Sequence, residues 1–161
     1  MLLCHRGASI SAHPRSPEVT PLRPSISIRE VELDRDFPAV IGLYRAHKWS
    51  HANDPERLRT AVRCSSYSVV AVERDTIIGF ARAMSDEAFA VYIADILVAP
   101  ARQREGIGRA LTEAIQEHYP LATFHHQVLI AERGVEGFYR RLGMTPVSAF
   151  GLTAFIRTGS G

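Results

Sequence analysis

Between Phe89 and Leu111 the chain changes its hydrophobic period once, and that change constrains the fold more than any other feature. Phe89 to Val98 (FAVYIADILV) is an unusually apolar run and reads as a strand buried on both faces. From Ile107 onward Ile107, Ala110, Leu111, Ala114, Ile115 and His118 recur at the 3.6-residue spacing of an amphipathic helix. The short loop between them closes on Gln103-Arg-Glu-Gly-Ile-Gly108. The first turn of a helix carries unpaired N–H groups and the positive end of the helix dipole. Gly106 and Gly108 let an anion approach that backbone, and Arg102, Arg104 and Arg109 add positive charge. In physical terms this is a pyrophosphate site. It is neither of two familiar glycine motifs: GxxxxGK[ST] does not occur, and Leu111 stands where GxGxxG needs its third glycine.

The flanking segments supply the rest of a mixed sheet. Ser25 to Val31 alternates apolar and polar residues, as a strand does. Asp34 is the expected N-cap of a helix carrying Phe37, Val40, Ile41 and Tyr44, with Pro38 early in it. Asp54-Pro55 opens a second helix that buries Leu58, Ala61 and Val62. Ser68 to Val72, Ile77 to Met84 and the Phe89 to Val98 strand, joined by short turns, form an antiparallel meander. After the helix from Ile107 the pattern predicts a strand over Thr123 to Ala131, a short helix over Gly134 to Leu142 stopped by Gly143, and a last strand over Val147 to Ile156. The order β-α-α-β-β-β-α-β-α-β predicts an α/β (α+β mixed sheet) fold with helices on both faces. Residues 1–25 contain Pro14, Pro17, Pro21 and Pro24 and read as a flexible tail, and residues 26–161 as a single domain.

Composition narrows the partners. With 161 residues, 46% hydrophobic and 22% charged, the chain is neither disordered nor a disulfide scaffold. No run of about 18 apolar residues exists, so no membrane partner is expected. The net charge of +2 is carried by Arg6, Arg15 and Arg23 against Glu18, which leaves the domain neutral and argues against a nucleic-acid partner. Cys4 and Cys64 have no CxxC spacing, and the N-terminus lacks the apolar core of a signal peptide, so a reduced cytoplasmic location is expected. His125 and His126 are adjacent on a strand and face opposite sides, and no metal is expected.

Gln103-x-x-Gly106-x-Gly108, following an apolar strand and a proline, resembles motif A of the GNAT superfamily of N-acetyltransferases. Gly137-Phe-Tyr-Arg-Arg-Leu-Gly-Met144 resembles that family's later F-Y-x-x-x-G-[FM] segment. The resemblance covers about residues 26–156 and implies a GNAT-like fold with acetyl-CoA as cosubstrate. It implies that the N–H groups of Gln103, Arg104, Glu105, Gly106, Ile107, Gly108 and Arg109 hold the pyrophosphate. Ile96, Leu97 and Val98 would run beside the pantetheine arm, with the Ile96 N–H as oxyanion donor, and Val128 to Ala131 would line the other wall of a slot. Tyr139 matches the general acid: a phenol with a pKa near 10 can protonate a departing thiolate. The alternative is an aromatic packing role. Where members of the family commonly carry Asn seven residues before this Tyr and Ala four before it, this chain has Glu132 and Val135.

The base is less defined. Asp95 is the sole carboxylate in the apolar strand, and is either a catalytic group or a buried carboxylate satisfied by arginine or backbone. Strand alternation places it on the opposite face from Tyr92 and Ala94. Asp86 in the preceding turn, Tyr92 and Trp49, in the His47-Trp49-His51 loop, are the candidate acceptor-binding residues. The expected reaction is transfer of an acetyl group to a primary amine, small or on a protein, by direct attack in a ternary complex. A cofactor-binding sensor of the same fold is the alternative. The apolar last strand, Ala149 to Ile156, would either be core or contact a second copy of the chain in a homodimer.

Overall fold

Residues 22–157 are described in a computed structural model. Five strands form one sheet in chain order: β1 (Ile26–Glu30), β2 (Tyr67–Glu73), β3 (Thr76–Ser85), β4 (Ala90–Val98) and β5 (His126–Val128). β1 to β4 are antiparallel neighbours, and β5 lies parallel to β4. The β2–β3 turn places Arg74 and Asp75 at φ 47° and 65°, the pair of left-handed residues that matches the twist of a two-residue hairpin. The helices are α1 (Leu33–Ala46), α2 (Pro55–Arg63), α3 (Ile107–His118) and α4 (Glu136–Arg141).

The two sheet faces carry separate cores. On one, Ile107, Leu111 and Ile115 of α3 pack against Val69, Ala81, Ala83, Val91 and Ile93. On the other, Phe37, Val40 and Tyr44 of α1 and Leu58 and Val62 of α2 pack against Val70, Phe80 and Leu97. α1 starts at Leu33, so Asp34 lies in its first turn and is not its N-cap. Asp36 does the local work: it accepts the Glu32 N–H at 2.8 Å and binds the Arg29 guanidinium at 2.7 and 3.0 Å. That contact with Arg29, opposed by burial, holds its carboxyl well below the usual carboxylate range and ties β1 to α1. Asp54 does cap α2, accepting the Arg57 N–H at 3.0 Å ahead of Pro55.

β4 contains a bulge. Arg82 pairs with Asp95 and Ala83 with Ile93, which leaves Ala94 without a partner. An extra residue reverses the side-chain parity beyond it. Val91 and Ile93 therefore face α3, whereas Asp95 and Leu97 face α1. Because Tyr92 pairs with Met84, on the same face of β3 as Arg82, Tyr92 and Asp95 share a face. Simple alternation puts them on opposite ones; the bulge overturns that.

The C-terminal part departs from expectation. β5 spans three residues, shorter than Thr123 to Ala131. The last strand over Val147 to Ile156 does not form: Val147–Phe150 is a 3-10 turn, and residues 152–157 join no sheet. Alternating apolar residues indicate a strand only if a face exists to bury them, and Phe155 is 93% exposed. Gly143 does stop α4, at φ 78°. Of the tail expected over residues 1–25, positions 1–21 lie outside the described residues. Leu22 packs on the α3-side core, and the Ser25 hydroxyl donates to Glu73 at 2.7 Å.

Candidate active site

β4 and β5 pair only over Ala90, Val91 and Tyr92. Beyond Tyr92 the two strands part, and the edge of β4 that faced β5 is open. A groove of about 770 Å³ occupies this gap and runs over the start of α3 to α4. Its lining includes Ile96, Val98, Gln103, Arg104, Gly106, Gly108 and Arg109, which the sequence brings forward as cofactor residues. Arg104 and Gly106 both take positive φ, 66° and 83°, the left-handed turn that gathers successive N–H groups toward one point. Glycine at position 106 takes this conformation without the steric cost a Cβ brings. The N–H groups of Ile107, Gly108 and Arg109 have no intrahelical acceptor in the first turn of α3.

The positive charge around this loop differs from the expected set. Arg102 is bound by Glu73 at 2.8 Å and Glu105 at 3.0 Å, so it buttresses the loop. Arg109 is paired with Glu113 at 2.6 Å. Arg104 has no ion pair among the described residues, and Arg141 of α4, outside the cofactor residues expected from either motif, also lines the groove. Leu97, Glu105 and Ile107, also expected as cofactor residues, do not line the groove: Leu97 and Ile107 are core residues, and Glu105 turns to Arg102.

A second cavity of about 130 Å³ adjoins the first and shares Ile96, Val135 and Tyr139 with it. Trp49, Ile93, Leu129 and Ile130 give it apolar walls, and Asp95 and Glu132 are its two carboxylates. Tyr139 thus stands where groove and slot meet. Burial, and then the negative charge of Glu132, push its phenol above its ordinary value, which keeps it protonated and able to donate.

Asp95 is held on the slot's inner wall. Its Oδ2 accepts the Tyr44 hydroxyl at 2.7 Å and is bound by the Arg82 Nε. Burial, and then the adjacent carboxylate, hold the Tyr44 phenol far above its ordinary value, so Tyr44 remains a donor. Neither Arg82 nor Tyr44 stands out in the sequence as a site residue. The signal for Arg82 is a lone arginine between apolar residues in β3, because a buried guanidinium requires a carboxylate. His47, from the loop after α1, lines the groove, and its Nε2 donates to the Val98 carbonyl at 2.8 Å. Of the acceptor candidates, Trp49 lines the slot. Tyr92 faces the same side of the sheet but lines neither cavity. Asp86 is occupied at the far end of β4, where its Oδ1 accepts the N–H groups of Ala88, Phe89 and Ala90 at 2.8 to 3.0 Å. Those bonds lower its pKa to about 2.

Known proteins with this arrangement define the class. The family model for the acetyltransferase (GNAT) domain matches residues 30–157. The chain belongs to the GNAT acetyltransferases, a family of acyltransferase enzymes. It is 41% identical over 71 residues to histone acetyltransferase TAP1 of Glycine max, a stretch covering 44% of this chain and 31% of that protein. It is 29% identical over 92 residues to the uncharacterized N-acetyltransferase ycf52 of Porphyra purpurea, covering 55% of this chain and 53% of that one. The chain therefore spans about a third to a half of the length of these curated relatives. The structure of the GNAT family acetyltransferase SP0256 from Streptococcus pneumoniae TIGR4 superposes with a TM-score of 0.72 at 27% identity, covering 84% of this chain and 99% of that one.

Proposed function

We propose that the chain transfers an acetyl group from acetyl-CoA to a primary amine by direct attack in a ternary complex. The observation that carries this is the meeting of a phosphate-fitted groove and a separate slot at Tyr139. The groove suits the cosubstrate: left-handed Arg104 and Gly106, the free first turn of α3, and Arg104 and Arg141 match a pyrophosphate. The open edge of β4 offers backbone groups to an extended amide-bearing arm, as a sheet edge does to an added strand. When bound, acetyl-CoA supplies an activated acyl thioester.

The residues then divide the work. Gln103 to Arg109 hold the pyrophosphate. The Ile96 N–H polarises the thioester carbonyl. Tyr139 gives its proton to the sulfur as the thiolate departs. No step needs an acylated enzyme: Cys64 is exposed and lines neither cavity. A small amine and an amine on a protein both remain within this reading, since TAP1 is named for histones but shares under half of this chain. The exposed Phe150, Leu152, Phe155 and Ile156 support a second copy of the chain as a partner.

The test is thiol release from acetyl-CoA across a panel of primary amines. Tyr139→Phe should lower kcat by about 10²–10³-fold and leave the acetyl-CoA-induced thermal shift unchanged. An unchanged kcat removes Tyr139 from the mechanism. A thermal shift with acetyl-CoA but no turnover with any amine makes the chain a sensor.

A further inference from the structure

We infer that Glu132 receives and deprotonates the acceptor's ammonium in the slot beside Tyr139, and that the acceptor is a primary ammonium on a short apolar or aromatic stem. The inference deepens the acetyl-transfer reading and rests on it. A primary amine is mostly protonated near neutral pH and must lose a proton before it can attack. Two carboxylates line the slot, Asp95 and Glu132. Asp95 is buried, bound to the Arg82 guanidinium and accepts the Tyr44 hydroxyl on the same oxygen. That pair is neutral as a unit, and taking up a proton would break it and leave Arg82 buried without its anion.

Glu132 is in the opposite situation. It stands on the exposed segment between β5 and α4 and has neither ion pair nor side-chain hydrogen bond among the described residues. It is also close enough to Tyr139 for its charge to act on the phenol. The slot therefore presents a free carboxylate and a protonated phenol, the two proton-handling groups that amide formation from an ammonium requires. Its remaining side chains, Trp49, Ile93, Ala94, Ile96, Leu129, Ile130 and Val135, are apolar but for the indole N–H of Trp49. Trp49 can cover an apolar stem and attract the ammonium with its ring face. A volume of about 130 Å³ accommodates the amine end and a short stem.

The protons balance. Glu132 takes one from the ammonium and passes it to water. The freed nitrogen lone pair forms the N–C bond to the acyl carbon, and the C–S bond breaks with its electron pair on sulfur. Tyr139 protonates that sulfur, and the second N–H proton released by the new amide restores the phenol through solvent.

The experiment compares benzylamine, cationic at neutral pH, with aniline, which is already neutral there, using thiol release from acetyl-CoA with wild type, Glu132→Gln and Glu132→Asp. Wild type should acetylate benzylamine. Glu132→Gln should lower kcat/KM for benzylamine by about 30-fold or more, change that for aniline by less than about 3-fold, and leave the acetyl-CoA thermal shift intact. Glu132→Asp should recover part of the loss. Equal activity of wild type and Glu132→Gln on benzylamine overturns the inference. So does an equal loss on both amines, which marks a structural role. A wild type active on spermidine or a peptide N-terminus but not on benzylamine overturns the acceptor class alone. A wild type active on no amine overturns the acetyl-transfer reading beneath it.

Discussion

Residues 26–119 and residues 120–157 are held together by different means. Every buried apolar side chain among the described residues lies between Ile26 and Tyr119. Beyond Tyr119, Leu121, Ile130, Phe150, Leu152, Phe155 and Ile156 are all more than 60% exposed. The second stretch is anchored mainly by polar ties. The Gln127 Nε2 donates to the Tyr119 carbonyl at 2.6 Å, the Gln116 Nε2 donates to the Leu142 carbonyl at 3.3 Å, and the His125 N–H donates to the Phe89 carbonyl at 3.0 Å. Phe124, Leu129 and Met144 add partly buried contacts to the α3 side. The candidate active site lies on the seam: β4 and α3 supply one wall, and Leu129 to Tyr139 the other. Stability should therefore follow the first region and the geometry of the slot the second.

The largest effect should come from breaking the first region's buried ion pair. Arg82→Met leaves the Asp95 carboxylate buried without its cation and should cost about 3–5 kcal/mol, read from the urea midpoint. Adding Asp95→Asn should recover much of the loss, because the two sites share one interaction. A loss below about 1 kcal/mol for the single variant would show that Asp95 is not sealed in the core. An intermediate effect is expected at the seam. Gln127→Ala removes the side chain that ties β5 to the end of α3 and should cost about 1 kcal/mol, while raising KM for the acceptor more than that for acetyl-CoA. If both KM values hold, the second wall is positioned by its apolar contacts instead. The smallest effect belongs to the outer surface: Phe155→Ser should change stability by less than about 0.5 kcal/mol in the monomer. A larger loss that grows with protein concentration would show that a second copy covers this residue.

Much of the first region is legible in sequence. Asp54-Pro55 marks the start of α2 because a cap and a proline act within one turn. The β2–β3 turn, the helix from Ile107 to His118 and the stop at Gly143 are equally local. The misreadings share a cause. Asp34 looks like a cap, but Asp36 reaches both Glu32 and Arg29, and the second contact crosses from helix to strand. Val147 to Ile156 alternates like a strand, yet no neighbour receives it. Asp86 looks available for an amine until the backbone of its own turn folds onto it.

The sequence by itself determined the strand, the glycine loop and the helix that follows, because each is governed by periodicity and φ preferences over a few residues. From those follows the groove beside the glycine loop, and from a short aromatic segment the proposed acid, Tyr139. Only the tertiary structure decided which carboxylate of the slot is left without an ion pair among the described residues. The bulge at Ala94 turns Asp95 toward Arg82 and Tyr44, and the parting of β4 from β5 brings Glu132 into the slot with Trp49. Register and burial couple residues far apart in the chain, and no local pattern carries that information.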